Sequence, residues 1–157
     1  MSSAKSPPEL IAFTNGLQPI KRVWAQAAGV ALADFGLPMS LATAVILTSR
    51  AGDEGIRQNL LTEEVGVNPG GMVRILDQAE AANLLTRRDS TADRRAKIIV
   101  ILPEGRALAD KMEVAIAALR NQMLDGIPVA DVEVATRVLR AFETRIGAFL
   151  QQKREHR

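Results

Sequence analysis

The chain contains no cysteine and no tyrosine, a single histidine, one tryptophan and four phenylalanines. Each scarcity excludes a class of chemistry. Without cysteine there is no disulfide, no thiolate nucleophile, no Cys-ligated metal and no thiol redox sensor. The lone histidine, His156, lies at the C-terminal end. A zinc or non-haem iron site would have to be dominated by carboxylates, and a packed pocket has no imidazole general base to draw on. An aromatic content of 3% argues against a single-strand binder that stacks bases on aromatic rings. Long apolar runs are also missing. Residues 30–33 are stopped by Asp34 and the run 98–102 is five residues long, against the ~20 that a membrane-spanning helix needs. Residues 1–8 form a small, polar, proline-containing arm without the apolar core of a signal peptide. The expectation is a cytoplasmic protein that makes no membrane contact.

Catalytic signatures are equally sparse. The dense carboxylate pairs, Asp53-Glu54 and Glu63-Glu64, are adjacent residues that diverge on a helix rather than converging on one substrate. There is no serine-nucleophile motif, glycine-rich phosphate loop or metal-ligand spacing. The chain is expected not to be an enzyme and to carry no cofactor and no metal.

What is present is helical periodicity interrupted once. At 157 residues the length suits a single domain, and 47% hydrophobic residues suffice for a core. Residues 9–33 place apolar side chains at spacings of three and four, with Gly16 and Pro19 predicting two pieces or a kink. Gly36-Leu37-Pro38 breaks the pattern, and Ser40 is the expected cap of a second helix to Ser49. A short third helix is expected over 57–64, anchored by Leu60 and Leu61. Asn68 then caps a fourth, with Pro69 at its first position and an end near Ala82, where Asn83 can adopt the left-handed conformation. Residues 84–88 and 97–102 read as strands joined by a polar, charged loop. Helices are expected again from Pro103 to about Leu124, and from about Ala130 to the basic tail at 153–157.

Helix, tight turn, helix, charged hairpin is the order of a winged helix-turn-helix. A helix fits the major groove of duplex DNA, and a two-stranded ribbon can follow the backbone or reach the minor groove. On the fourth helix Met72, Ile75, Leu76 and Ala79 share an inward face, whereas Gly70, Val73, Arg74 and Asp77 share the outer one. Gly70 and Gly71 would let a phosphate approach the helix N-terminus and its free N–H groups. Arg74 is suited to guanine or phosphate, and Val73 to a thymine methyl. The hairpin carries Arg87, Arg88, Arg94, Arg95 and Lys97 against Asp89 and Asp93, a net +3, while the whole chain is only +2. Asp93 beside Arg94 and Arg95 is expected to fix an arginine's direction.

Asp93-Arg94-Arg95, followed by an apolar strand and Pro103-Glu104-Gly105, is similar to the wing signature of MarR-family transcriptional regulators. Gly55-Ile56-Arg57-Gln58 at the start of the third helix resembles the family too, as does 74–80, Arg-Ile-Leu-Asp-Gln-Ala-Glu, in the fourth. The resemblance covers most of the chain. It implies a mainly α fold with a small β-hairpin wing, the winged helix-turn-helix being flanked by N- and C-terminal dimerisation helices. In this reading residues 1–157 are one MarR-like domain, about 38–102 being the DNA-binding core and about 9–34 and 103–152 the dimerisation helices. The family also implies a homodimer on double-stranded DNA, tuned by a small, often aromatic and anionic, effector. The DNA-contacting set is then Asn68, Gly70, Gly71, Val73, Arg74, Asp77, Arg87, Asp93, Arg94 and Arg95. Departures from the family pattern are Asn83 in place of a common glycine, Ala79 in place of a leucine, and Gly70-Gly71 where base-reaching side chains often stand.

The chain ends are rich in apolar residues, among them Leu10, Phe13, Leu17, Leu139, Phe142, Ile146, Phe149 and Leu150. They fit an intermolecular helical bundle, with a layer within one chain as the alternative. Two heads related by a two-fold axis predict a pseudo-palindromic operator. The resemblance implies repression or activation tuned by a ligand, and the expected function is a ligand-responsive, sequence-specific repressor. The rival reading is a winged-helix protein-interaction module without DNA binding. By its family position Trp24 lies near the crevice between dimer and DNA-binding parts, with Arg22 or Arg50 able to pair with a carboxylate effector.

Overall fold

The computed structural model describes residues 6–156. Residues 1–5 of the expected N-terminal arm, and Arg157 of the basic tail, lie outside the described residues. The chain divides into two compact units, residues 1–120 and 121–157.

The first unit begins with helix α1 (Pro8–Ala31), which is one uninterrupted helix rather than two pieces. Pro19 lies within it on an exposed stretch, so the carbonyl that loses its N–H partner faces solvent and the helix continues. A single 3₁₀ turn (Ala33–Phe35) leads to α2 (Met39–Arg50). Pro38, not Ser40, occupies the N-cap of α2, and no side chain caps it. Helix α2 is the centre of the core. Leu41, Ala42, Ala44, Val45, Ile46 and Thr48 are all buried, and the Thr48 hydroxyl donates to the Ala44 carbonyl at 2.8 Å. Among the described residues no buried side-chain polar atom lacks a partner.

Ile56 and Arg57 were expected to open the third helix. They form a short strand, β1 (Ile56–Arg57), ahead of α3 (Gln58–Val65). Leu61 is fully buried, but its neighbour Leu60 is 47% exposed, so only one of the two expected anchors reaches the core. After a turn at Gly66, α4 (Pro69–Ala81) starts under the Asn68 cap, with the Asn68 Oδ1 accepting from the Gly71 N–H at 2.7 Å. Met72, Ile75, Leu76 and Ala79 are buried, as their period requires. Asn83 ends this region with φ of 57°, a conformation that asparagine tolerates.

Strands β2 (Leu85–Asp89) and β3 (Lys97–Ile101) pair antiparallel, and β1 adds to the other edge of β3, giving the order β1-β3-β2. Leu85 faces Ile101, Arg87 faces Ile99 and Asp89 faces Lys97. Leu85 and Ile99 are buried against the helices. Gly55 explains how so short a β1 docks. Its φ is +78°, and a Cβ there would lie 2.3 Å from the Ile99 carbonyl oxygen. Helix α5 (Pro103–Met123) then leaves the sheet, with Ala109, Met112 and Ile116 buried in the core shared by α2, α4 and the strands. Gly105 permits that departure, since a Cβ would lie 2.0 Å from the Leu84 carbonyl oxygen.

The second unit is dominated by α6 (Val129–Glu155), which contains no buried residue. Val134, Val138, Leu139, Ile146, Phe149 and Leu150 are all more than 40% exposed. No helix among the described residues is long and apolar enough to cross a membrane.

Candidate nucleic-acid interface

Helix α4 supplies the first half of the site. With its apolar stripe turned inward, Gly70, Val73, Arg74 and Asp77 lie on the exposed face, Val73 being 42% exposed. Asn68 spends its side-chain oxygen on the cap, which stiffens the first turn. The added Cβ at Gly70 would meet only Asn68 Oδ1 at 3.6 Å, so this end of the helix stands open to an approaching backbone.

The wing supplies the second half. Ser90 and Ala96 close the loop with a backbone hydrogen bond of 3.1 Å. Within it the Ser90 hydroxyl accepts from the N–H groups of Ala92 and Asp93, both at 3.3 Å. Asp93 does brace its neighbour, but through the main chain. Its Oδ1 accepts from the Arg95 N–H at 3.0 Å, not from a guanidinium. An Asx turn of this kind sets the backbone direction of a loop. The side chains of Arg94 and Arg95 are exposed.

Arg87 occupies a different position from the other wing arginines. Its N–H and Nε donate to Glu80 Oε1 at 3.0 and 3.2 Å, and one terminal nitrogen reaches Glu80 Oε2 and Asp77 Oδ1, both at 2.6 Å. Strand alternation accounts for this, because a residue two after the buried Leu85 points to the same, helix-facing side. The Arg87 hydrogen bonds hold the Glu80 carboxyl below the usual carboxylate range, and the two acids raise Arg87 further. Arg87 and Asp77, both expected at the DNA, are therefore committed to one another, and the wing root is tied to α4. On the opposite face, Arg88 donates to the Glu54 carbonyl at 2.8 Å.

A cleft of about 300 Å³ lies between the wing and the start of α3, lined by Arg57, Gln58, Asn59, Asp93, Arg95 and Lys97. Arg57, Gln58 and Asn59 were not among the sequence-based candidates. No local signal in the sequence marks them, because they meet the wing only through the pairing of β1 with β3, which sets Arg57 opposite Ile98.

A second cleft in the same unit, of about 330 Å³, lies among α1, α2 and α5. Trp24, Met39, Ile46, Leu47 and Ile116 give it an apolar body; Lys21, Arg50 and Arg120 give it a basic margin, and no carboxylate lines it. Of the three residues named for an effector, Trp24 and Arg50 line this cleft and Arg22 does not. Positions 21, 24, 25 and 28 share the helix face that meets the cleft, and Arg22 is turned about 100° from Lys21. Arg50 is also engaged. Its Nε and a terminal nitrogen donate to the two carboxylate oxygens of Glu113 at 2.5 and 3.1 Å. That bond lowers the Glu113 pKa and raises that of Arg50. No group of three or more His, Asp or Glu side chains among the described residues could hold a metal ion.

No protein-family model matches the sequence. Solved structures do. The chain is similar to the transcriptional regulator PA3341 at 28% identity and a TM-score of 0.75, over 85% of this chain and 97% of that one. It is similar to CouR from Rhodococcus jostii RHA1, solved bound to p-coumaroyl-CoA, at 25% identity and a TM-score of 0.67, over 80% and 87% of the two chains. It also matches a MarR-family transcriptional regulator from Rhodococcus sp. RHA1 at 24% identity and a TM-score of 0.70, over 88% and 96%. Helix-turn-helix, three-stranded wing and long flanking helices together make this chain a winged-helix protein with the architecture of the MarR-family transcriptional regulators.

Proposed function

We propose that the protein is a sequence-specific regulator of transcription that binds double-stranded DNA as a homodimer. The observation that carries this reading is the placement of charge. The exposed face of α4, with Arg74 and Val73 beside an open helix N-terminus, stands in one unit with a wing that presents Arg94 and Arg95. In this reading α4 enters the major groove, Arg94 and Arg95 meet phosphates or the minor groove, and Arg57, Arg95 and Lys97 hold the flanking backbone. Asn68, Asp77, Arg87 and Asp93 serve the interface by shaping it. Residues 38–102 form the DNA-binding core, while 9–34 and 103–152 carry dimerisation, supported by the apolar side chains that α1 and α6 leave exposed.

The same reading makes the protein a repressor released by a small effector. The second cleft supports this, since an apolar body with a basic margin suits an aromatic or acyl anion. CouR was solved with p-coumaroyl-CoA, a ligand with both characters. Selection of bound duplex fragments from genomic DNA, followed by a salt titration of the best fragment, tests the proposal. Binding should fall steeply with salt as phosphate contacts release counterions, and selected fragments should share a pseudo-palindrome. No enrichment, or a flat salt dependence, would sink it.

A further inference from the structure

Glu113 is not part of the lining of the cleft among α1, α2 and α5, yet it pairs with one of the three cations at its margin. Arg50 gives both carboxylate oxygens of Glu113 a partner in a fork-to-fork pair. Arg120, two turns further along α5 and itself lining the cleft, also attracts that carboxylate. Lys21 and Arg120 are in no ion pair among the described residues, so the margin holds two cations without a carboxylate at ion-pair distance and one that is already satisfied. The pair is half exposed on the arginine side, at 51%, and an exposed ion pair is weak enough to exchange partners.

We infer that Glu113 is a built-in competitor for the anionic group of the effector, and that a bound carboxylate takes Arg50 from it. This rests on reading the cleft as the effector site. The exchange would have two consequences. It makes affinity depend on the ligand's charge as well as on its apolar body, because only an anion can replace Glu113 on Arg50. It also releases the Arg50–Glu113 tie, which joins the C-terminal end of α2 to the middle of α5 across 63 residues. Helix α2 packs directly against α4, so loss of that tie acts on the element that carries the reading face. The ligand therefore exchanges a contact within the protein for one with itself, and the differential contact is what shifts the conformational balance.

Trp24 makes the test direct, since it is the only tryptophan and lines the cleft. Its fluorescence is followed during titration with phenylacetate and with its neutral isostere phenylacetamide, in the absence of DNA. Phenylacetate should bind more tightly than the amide. Glu113→Gln should tighten phenylacetate about three- to fivefold, the equivalent of one exposed pair, and leave phenylacetamide unchanged. Arg50→Gln should weaken phenylacetate alone, and if Glu113→Gln does not fold, Glu113→Ala carries the same expectation of tighter phenylacetate and unchanged phenylacetamide. If Glu113→Gln folds and leaves phenylacetate affinity unchanged or weaker, the competition does not exist, whatever the cleft binds. If neither compound alters Trp24 emission, the cleft is not an effector site and the inference falls with it. Neither result touches DNA binding, which is measured separately.

Discussion

Arg87 grips Glu80 through three hydrogen bonds, one from its main chain and two from its guanidinium, at 3.0, 3.2 and 2.6 Å. The contact joins the first wing strand to the last turn of α4. If this makes α4 and the wing one rigid head, Arg87→Ala should weaken operator binding at least several-fold while lowering stability by about 1 kcal/mol or less, since the pair is partly exposed. Glu80→Ala distinguishes bracing from direct contact. It removes a negative charge near DNA and frees Arg87, so a phosphate-binding Arg87 would gain affinity. The brace predicts a loss, read by mobility shift on one operator fragment.

The same pair has a pH signature. Glu80 has a lowered pKa when folded, so its contribution to stability is fully present above the ordinary carboxylate pKa and is lost as pH falls through the lowered one. The stability gap between wild type and Arg87→Ala should therefore be constant near neutrality and close in acid. Urea melts across that range check it; a gap that stays constant through acid would show that Glu80 is not the partner that matters.

Asp93 acts on the Arg95 N–H rather than on a side chain, and this changes which substitution is informative. Asp93→Ala removes the turn's acceptor and should weaken DNA binding even though it adds net positive charge. Asp93→Asn keeps an acceptor oxygen without the charge, and should bind DNA as well as wild type or better. Arg95→Ala should weaken binding to all sequences alike and lower the salt slope by about one unit. Equal damage from the Ala and Asn variants at 93 would return Asp93 to a role through its charge.

These distinctions mark how far the residues alone could be read. The inward stripe of α4 was legible because Met72, Ile75, Leu76 and Ala79 repeat at the helical period, and the Asn68-Pro69 start carries its own stereochemical signal. Strand β1 was not, because two residues generate no period and Ile56–Arg57 are extended only through pairing with β3. Leu60 and Leu61 look alike in sequence, but packing chooses one. Arg87 looked like any other wing arginine until the register placed it opposite Ile99, on the side facing Glu80. Arg50 and Glu113 are 63 residues apart and share no pattern. Local periodicity found the elements; the partners that decide each arginine's role come from tertiary pairing.

Gly70, on the exposed face of α4, lets one substitution separate stability from DNA binding. It lies in the first turn of α4, where the space around a new Cβ is open apart from Asn68 Oδ1 at 3.6 Å. Gly70→Ala should thus stabilise the fold by up to ~1 kcal/mol, through reduced backbone freedom in the unfolded chain. If a phosphate approaches the helix N-terminus there, the same methyl should weaken DNA binding. A variant with a raised denaturation midpoint and unchanged operator affinity would place the DNA backbone elsewhere. Asn68→Ala provides the reverse control. It should cost about 0.5–2 kcal/mol through loss of the cap, and Asn68→Asp should restore most of it.

The apolar face of α6 supports the last expectation. Leu139 and Ile146 are 45% and 41% exposed, seven residues apart on a helix with no buried residue, a pattern that water does not favour over the length of a 27-residue helix. If a second copy covers this face, Leu139→Glu or Ile146→Glu would bury an unpaired carboxylate in an apolar contact and should give a monomer by light scattering at micromolar concentration. The DNA consequence follows from symmetry. A dimer spans two half-sites about one helical turn apart, so the monomeric variant should lose its preference for the palindrome over an isolated half-site while keeping the salt dependence of the single wing. Retained dimerisation in both variants would move the interface off α6 and leave its exposed leucines without this explanation.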